Sequence, residues 1–269
     1  MNNKSVADYS DRIRSLLSYA VAGAVRGKET AVAFSGGVDS GLLTVMAKEN
    51  ADKVRLYTVG KEGSYDVVKS RRAADELGLD MEHIELSERN MEPILREMIQ
   101  ITGTRDTVTL SFEVPTFCVT KHSDEKDILD GIGADELFAG YHKYIGLAEQ
   151  EFIEMRDEDL DRLMSFVIRH EDKAAGYFGK TIHRPFLDAE LVQTALSLPF
   201  REIEPRDEDS RKGILKKIAS DMGYGIFADT TKKAAQYGSG AMDIMKAISK
   251  KNGMSVSEYV RQLCKEELD

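Results

Sequence analysis

Tryptophan is missing altogether from this chain of 269 residues, and it holds only five prolines and two cysteines. Cys118 and Cys264 form no C-x-x-C, so neither a disulfide framework nor a zinc site is supported. No Pro-rich linker, low-complexity stretch or internal repeat divides the chain. No apolar run approaches the roughly 18–20 residues that cross a bilayer, and the opening MNNKSVADYSDR lacks the pattern of a signal peptide. These absences predict a cytoplasmic protein without membrane contacts. An excess of basic charge is lacking too. Lys and Arg number 37 against 47 Asp and Glu, a net charge of −10, which speaks against gripping nucleic acid by its phosphates. What remains is 42% hydrophobic and 31% charged, enough for one large domain or a domain with an extension.

The most informative stretch is Ala31 to Ser40, AVAFSGGVDS. Ala31 to Phe34 read as a buried strand. Ser35, Gly36 and Gly37 turn the chain, and Leu42, Leu43, Val45 and Met46 carry a helical pattern onward. Strand, glycine turn and helix together aim backbone N–H groups and a helix N-terminus at an anion. Ser35 and Ser40 add hydroxyl donors. Asp39 places an acid where phosphate belongs, which makes sense with a cation between them. The Walker ending GK[ST] is absent.

Around this unit the periodicity predicts a helix over 10–26 ended by Gly27, strands over 54–59 and 81–86, a helix over 65–77 closed by Gly78, and a helix over 90–101. Strand and helix repeat from 31 to 86, which predicts parallel strands. The stretch 107–122 is β-branched but contains Pro115, and it is assigned mostly to helix. A short strand over 127–130 follows. Beyond it helical patterns dominate: 147–155, 160–170, 189–198, 210–222, 242–250, and a last helix opened by the capping box of Ser255 and Glu258. The predicted organisation is an α/β nucleotide-binding core over 1–140 with a parallel sheet flanked by helices, and a helical C-terminal region over 141–269 packed on it.

The second informative stretch is DGIGADELFAGY, Asp130 to Tyr141. Two glycines open a loop at a strand end, with Asp135 and Glu136 just beyond. Loops at the carboxyl ends of strands in an open α/β sheet share one crevice, so Asp135 is expected to face Asp39 across phosphates with Mg²⁺ held between them. Acids complementing a helix dipole are the plainer reading of the same residues.

SGGVDS resembles the pyrophosphate loop of the N-type ATP pyrophosphatases, and GIGADELFAGY resembles the signature of the synthetase domain of asparagine synthetases and their β-lactam synthetase relatives. The resemblance extends over most of the chain after residue 28. It includes Thr58-Val59-Gly60 with Ser64 and Asp66, His183 to Asp188 (HRPFLD), Arg211 to Leu215 (RKGIL), and Lys232-Lys233 ahead of Tyr237-Gly238. It implies an adenine nucleotide alpha hydrolase-like fold, ATP and Mg²⁺ as cofactors, and the following roles. Ala33, Val59 and Gly131 supply main chain around adenine and ribose. Ser35, Gly36, Gly37, Asp39 and Ser40 hold the pyrophosphate, and Asp39 and Asp135 bind the metal. Lys233 or Lys232 stabilises charge in the transition states, and Lys212 contacts phosphate. Arg184 and Asp188 read as a structural pair.

Three departures qualify the resemblance. The family's large enzymes begin with a glutaminase domain whose nucleophile is an N-terminal Cys; here position 2 is Asn2, so ammonia is expected free or from a separate glutaminase subunit. Ile132 stands where asparagine synthetases carry a Glu thought to handle the proton of the attacking amine, and Ile accepts no proton. The segment KKAAQYGSG departs from the usual spacing, so the catalytic lysine is not uniquely assigned. The expected activity is an ATP-dependent amide-forming ligase that activates a small-molecule carboxylate as an acyl-adenylate for attack by ammonia or an amine. A tRNA-modifying ATP pyrophosphatase and a non-catalytic nucleotide-binding subunit are the alternatives, and a homo-oligomer is left open.

Overall fold

The computed structural model describes residues 6–228 and 235–266. Its first half runs α1 (Val6–Val25), β1 (Glu29–Ala33), α2 (Val38–Lys48), β2 (Lys53–Gly60), α3 (Tyr65–Leu77), β3 (Met81–Glu85), α4 (Glu88–Thr102), α5 (Thr107–His122) and β4 (Asp127–Leu129). Then follow α6 (Ala134–Leu137), α7 (Glu149–Arg162), a π-turn (Leu163–Val167), α8 (Ile168–Tyr177), β5 (Thr181–His183), α9 (Ala189–Leu196), α10 (Phe200–Ile203), α11 (Gly213–Asp221), α12 (Gly225–Ala228), α13 (Ala235–Gly238), α14 (Ala241–Lys251) and α15 (Val256–Glu266). Among the described residues no helix is long and apolar enough to cross a membrane.

The five strands pair in the order β3-β2-β1-β4-β5, every neighbouring pair parallel. Side chains alternate across a strand, and here both faces are covered. Val32, Val54, Leu56 and Leu129 point into one core with residues of α1, α2, α9 and α11. Ala31, Tyr57, Val59, Ile128 and Ile182 point into the other with residues of α4, α5, α14 and α15. The strands are buried on both sides, which is why they read as near-continuous apolar runs.

The parallel α/β architecture predicted from the sequence is the one observed, and α3 matches its predicted bounds. Helix α5 forms in spite of its β-branched residues and carries Pro115 inside it. Asp106 caps it by accepting from the Thr109 N–H at 2.8 Å. The capping box of α15 is present, with the Ser255 N–H donating to Glu258 at 2.8 Å. The predicted patterns over 147–155 and 160–170 merge into one rod, α7 through the π-turn to α8. Strand β5 lies beyond residue 140 and pairs with β4, so the expected boundary near 140 is not a boundary of the sheet.

Gly41, in the first turns of α2, lets α12 approach: a Cβ there would stand 2.5 Å from a ring carbon of Phe227, which is fully buried. Carbon atoms pack comfortably at about 3.5–4.0 Å. Gly41→Ala is therefore expected to lower stability by about 1–2 kcal/mol in urea unfolding, although Ala is the better helix former by about 1 kcal/mol. A stabilised variant would show that this contact relaxes freely.

Candidate functional site

The carboxyl ends of β1, β2 and β4 open into a cavity of ≈ 570 Å³. The chain leaves β1 at Phe34, whose carbonyl accepts bonds from the hydroxyls of Thr58 (2.7 Å) and Ser70 (3.3 Å). That pins the strand end to β2 and α3. Ser40 turns back and accepts the Ser35 N–H at 3.2 Å, closing the loop on itself. The first turn of α2, begun at Gly37, presents N–H groups that have no intrahelical acceptor.

The loop after β4 comes up beside this turn. Gly131 is what permits it: a Cβ there would lie 3.1 Å from the Cβ of Asp39. Gly133 adopts φ +94 where any side chain would run into Leu187, which explains the second glycine of the motif. Asp135 then stands in the one-turn helix α6.

Between the two loops lies Lys212. Its ammonium meets both Asp39 Oδ2 and Asp135 Oδ1, the latter at 2.9 Å, and its side chain is 3% exposed. Lys212, for which the resemblance implies a phosphate contact, bridges the two acids. The bridge is built. Lys212 holds φ +55 just before α11, and Gly140 carries no Cβ where one would collide with Asp135 and the Lys212 stem. The neighbouring Arg211 donates to the Gly140 carbonyl at 3.0 Å, fixing the backbone of that approach.

Ala33, Ser35, Gly37 and Ser40 line the cavity, as do Val59, Gly131, Asp39, Asp135 and Lys212. Gly36 does not: it faces the backbone of Ser70 on α3. Lys232 and Lys233 lie outside the described residues. The flanking segments are described; one reaches α2 and the other the turn after β2. Phe227 packs on Gly41, and Ser239 accepts the Lys61 N–H at 2.8 Å just before α3.

Sequence reasoning missed Lys69 on α3, which also lines the cavity and lies over the Tyr65 ring, and it missed Glu171. Glu171 stands in the cavity wall on α8. Arg184 donates to its Oε2 through Nε (3.2 Å) and Nη2 (3.0 Å), while no hydrogen bond from a described residue reaches Oε1. Burial pushes the Glu171 carboxyl up to about 8; the neighbouring Asp130 adds to the shift and Arg184 opposes it. Asp130 is raised by burial as well, though it accepts from Thr116 and from the Ile132 N–H. The expected Arg184–Asp188 pairing is not formed. Arg184 turns to Glu171 and Asp172, and Asp188 instead caps α9, accepting from the Glu190 N–H at 3.0 Å. A helix N-terminus one residue beyond a carboxylate is the stronger claim on it.

The family model for asparagine synthase matches residues 12–150 and 145–251. The chain belongs to the asparagine synthase family. A protein of Methanocaldococcus jannaschii, named as a candidate glutamine-hydrolysing asparagine synthetase, is 28% identical over 98% of this chain and 56% of its own length. A glutamine-hydrolysing asparagine synthetase of Brassica oleracea is 28% identical over 71% of this chain and 35% of its own. The chain thus spans about half the length, or less, of these relatives. Among solved structures, an NH3-dependent NAD synthetase from Campylobacter jejuni aligns with 86% of this chain and 98% of its own, at 14% identity and a TM-score of 0.36.

Removing the bridging ammonium leaves two carboxylates face to face in a part-buried site. Lys212→Met is expected to lower stability by about 3 kcal/mol at pH 7 in urea unfolding. Removing one of the facing charges as well, in Lys212→Met/Asp135→Asn, should recover part of the deficit. An equal deficit in the single and the double variant would mean that lost packing, not charge, is responsible.

Proposed function

We propose that this chain is an ATP-dependent ligase that activates a carboxylate as its acyl-adenylate, releasing pyrophosphate, and passes the acyl group to ammonia or another amine. The carrying observation is the cation bridge of Asp39, Lys212 and Asp135 beside the Ser35–Ser40 turn. Two acids held next to an anion-binding helix start suit a polyphosphate only when positive charge lies between them.

The donors fit Mg²⁺. Asp39 and Asp135 offer hard carboxylate oxygens around a point that already favours a cation, and Mg²⁺ commonly takes one or two carboxylates together with substrate phosphates. Bound there, it would neutralise charge on the polyphosphate. Lys212, released from the acids, would then serve phosphate, the role that the resemblance implies for it. The roles implied for the loop, for Ala33, Val59 and Gly131 around the nucleoside, and for Lys232 or Lys233 over the phosphates are carried forward as part of this reading.

A substrate carboxylate oxygen attacks the α-phosphorus of ATP. The bond from that phosphorus to the bridging oxygen breaks, and pyrophosphate departs with the electron pair. The amine then attacks the acyl carbon, AMP leaves, and the amine gives up a proton. Ile132 cannot take it. Glu171 can: its Oε1 has no donor among the described residues, and its carboxyl, poised near neutrality, sits in the range where general bases work best. Most of the remaining work is charge neutralisation and positioning.

Turnover is expected to yield AMP and pyrophosphate in equal amounts, with Asp39→Asn and Asp135→Asn each slowing pyrophosphate release about 100- to 1,000-fold in folded protein. ADP and phosphate as products would overturn the proposal. Glu171→Gln separates the two half-reactions. Carboxylate-dependent exchange of pyrophosphate into ATP should persist while amide formation falls about 100-fold. In wild type, amide formation should rise with pH and level off above about 8, as Glu171 loses its proton. A flat profile, or equal loss of both half-reactions, would remove Glu171 from proton transfer.

A further inference from the structure

One wall of the cavity is hydrocarbon. Helix α5 contributes Val108 and Phe112, one turn apart, and the π-turn contributes Leu163 and Val167, also four residues apart; Ile132 joins them from the loop after β4. This wall is separate from the strand ends proposed above to hold the nucleoside. Thr116, halfway along α5, is tied to Asp130 at the end of β4 by a 3.0 Å bond. A helix rises about 1.5 Å per residue, so Phe112 and Val108 lie about 6 and 12 Å farther out along the helix.

The cations bordering this wall have carboxylates beside them: Lys143 binds Asp159 at 2.6 Å, Arg162 lies 4.0 Å from Asp106, and Arg184 holds one oxygen of Glu171. Val108 is 53% exposed at the cavity, and Phe112 and Val167 are partly exposed. Apolar surface left open inside a cavity gains from an apolar ligand, whereas a second carboxylate set against it would be stripped of water with the bordering cations already paired. The π-turn points the same way, since such turns within helices gather at functional sites.

We infer that the acyl substrate is a carboxylic acid with an apolar body, aliphatic or aryl, with no second carboxylate, seated between Val108 and Phe112 on one side and Leu163 and Val167 on the other. The inference rests on the ligase reading for the identity of the reacting group, and it separates this site from one built for an amino-dicarboxylate.

The test uses the full chain with acetate, butyrate, hexanoate, octanoate, 3-phenylpropionate, aspartate and glutamate. Binding is read by saturation-transfer NMR in the presence of α,β-methylene-ATP, and activation by pyrophosphate–ATP exchange. Affinity should rise about three- to fourfold per added methylene until the wall is filled, and aspartate and glutamate should bind far more weakly than octanoate. Val108→Asp, at a half-exposed position, should weaken octanoate at least tenfold. The melting shift given by the nucleotide analogue is its fold control, and Val167→Thr, nearly isosteric, takes its place if the Asp variant fails that control. Affinity independent of chain length, preference for aspartate or glutamate, no binding of any apolar acid, or unaltered octanoate binding in the folded variant would each overturn the inference. Exchange supported by aspartate alone leaves the ligase standing and removes only the apolar substrate. ATP cleaved to ADP removes the ligase, while the NMR series still decides what the wall binds.

Discussion

The ammonium of Lys212, held between the carboxylates of Asp39 and Asp135, joins three segments that the sequence keeps far apart: the first turn of α2, the short helix α6 and the start of α11. A buried lysine must find opposite charge or lose its own. Two carboxylates close together need a cation between them. Each group is tolerable only because the other two are present, so the constraint fixes all three backbones. The backbone accommodates it visibly, in the left-handed conformation of Lys212 and in the space that Gly140 leaves open. Of the glycines in the second motif, Gly131 gives clearance at this junction against Asp39 and Gly140 against Asp135 and Lys212, while Gly133 clears Leu187.

The parallel sheet delivers the junction to one place. With β1 at its centre and β2 and β4 on either side, the loops after these strands leave the same edge and must share a crevice. That much follows from sequence order and from apolar runs buried on both faces. Strand–turn–helix at 31–40, the bounds of α3 and the capping box of α15 were legible because each rests on contacts between residues near in sequence. The three residues of β5 were not: so short a strand carries no period, and it exists because the edge of β4 is there to pair with. The π-turn was equally hidden, since the apolar spacing around it also fits an ordinary helix.

At the site the same division holds. The residues of the two glycine motifs could be placed from their own stretches. Lys212 could be named, but its partners lie 173 and 77 positions away and nothing local points to them. The error over Arg184 has the same origin. Asp188 is near in sequence and of the right charge, yet it has the N–H groups of α9 to cap. Arg184 goes instead to Glu171, a residue that reads on the sequence as one more charge on a helix face and is buried in the structure.

Glu171 also bears on what Ile132 means. Loss of a carboxylate from the loop after β4 would end proton transfer if that loop were the only source of a base. A carboxyl on α8 reaches the same cavity from a different element, with burial raising its proton affinity and Arg184 holding one oxygen in place. In the proposed reaction a base on α8 leaves position 132 free to present hydrocarbon, and Ile132 lines the cavity together with Val108, Phe112, Leu163 and Val167. The proposed proton acceptor and half of the apolar wall share one rod, with Glu171 one turn beyond Val167, while Val108 and Phe112 come from α5; none of these residues belongs to the loop that holds Asp135 against Lys212.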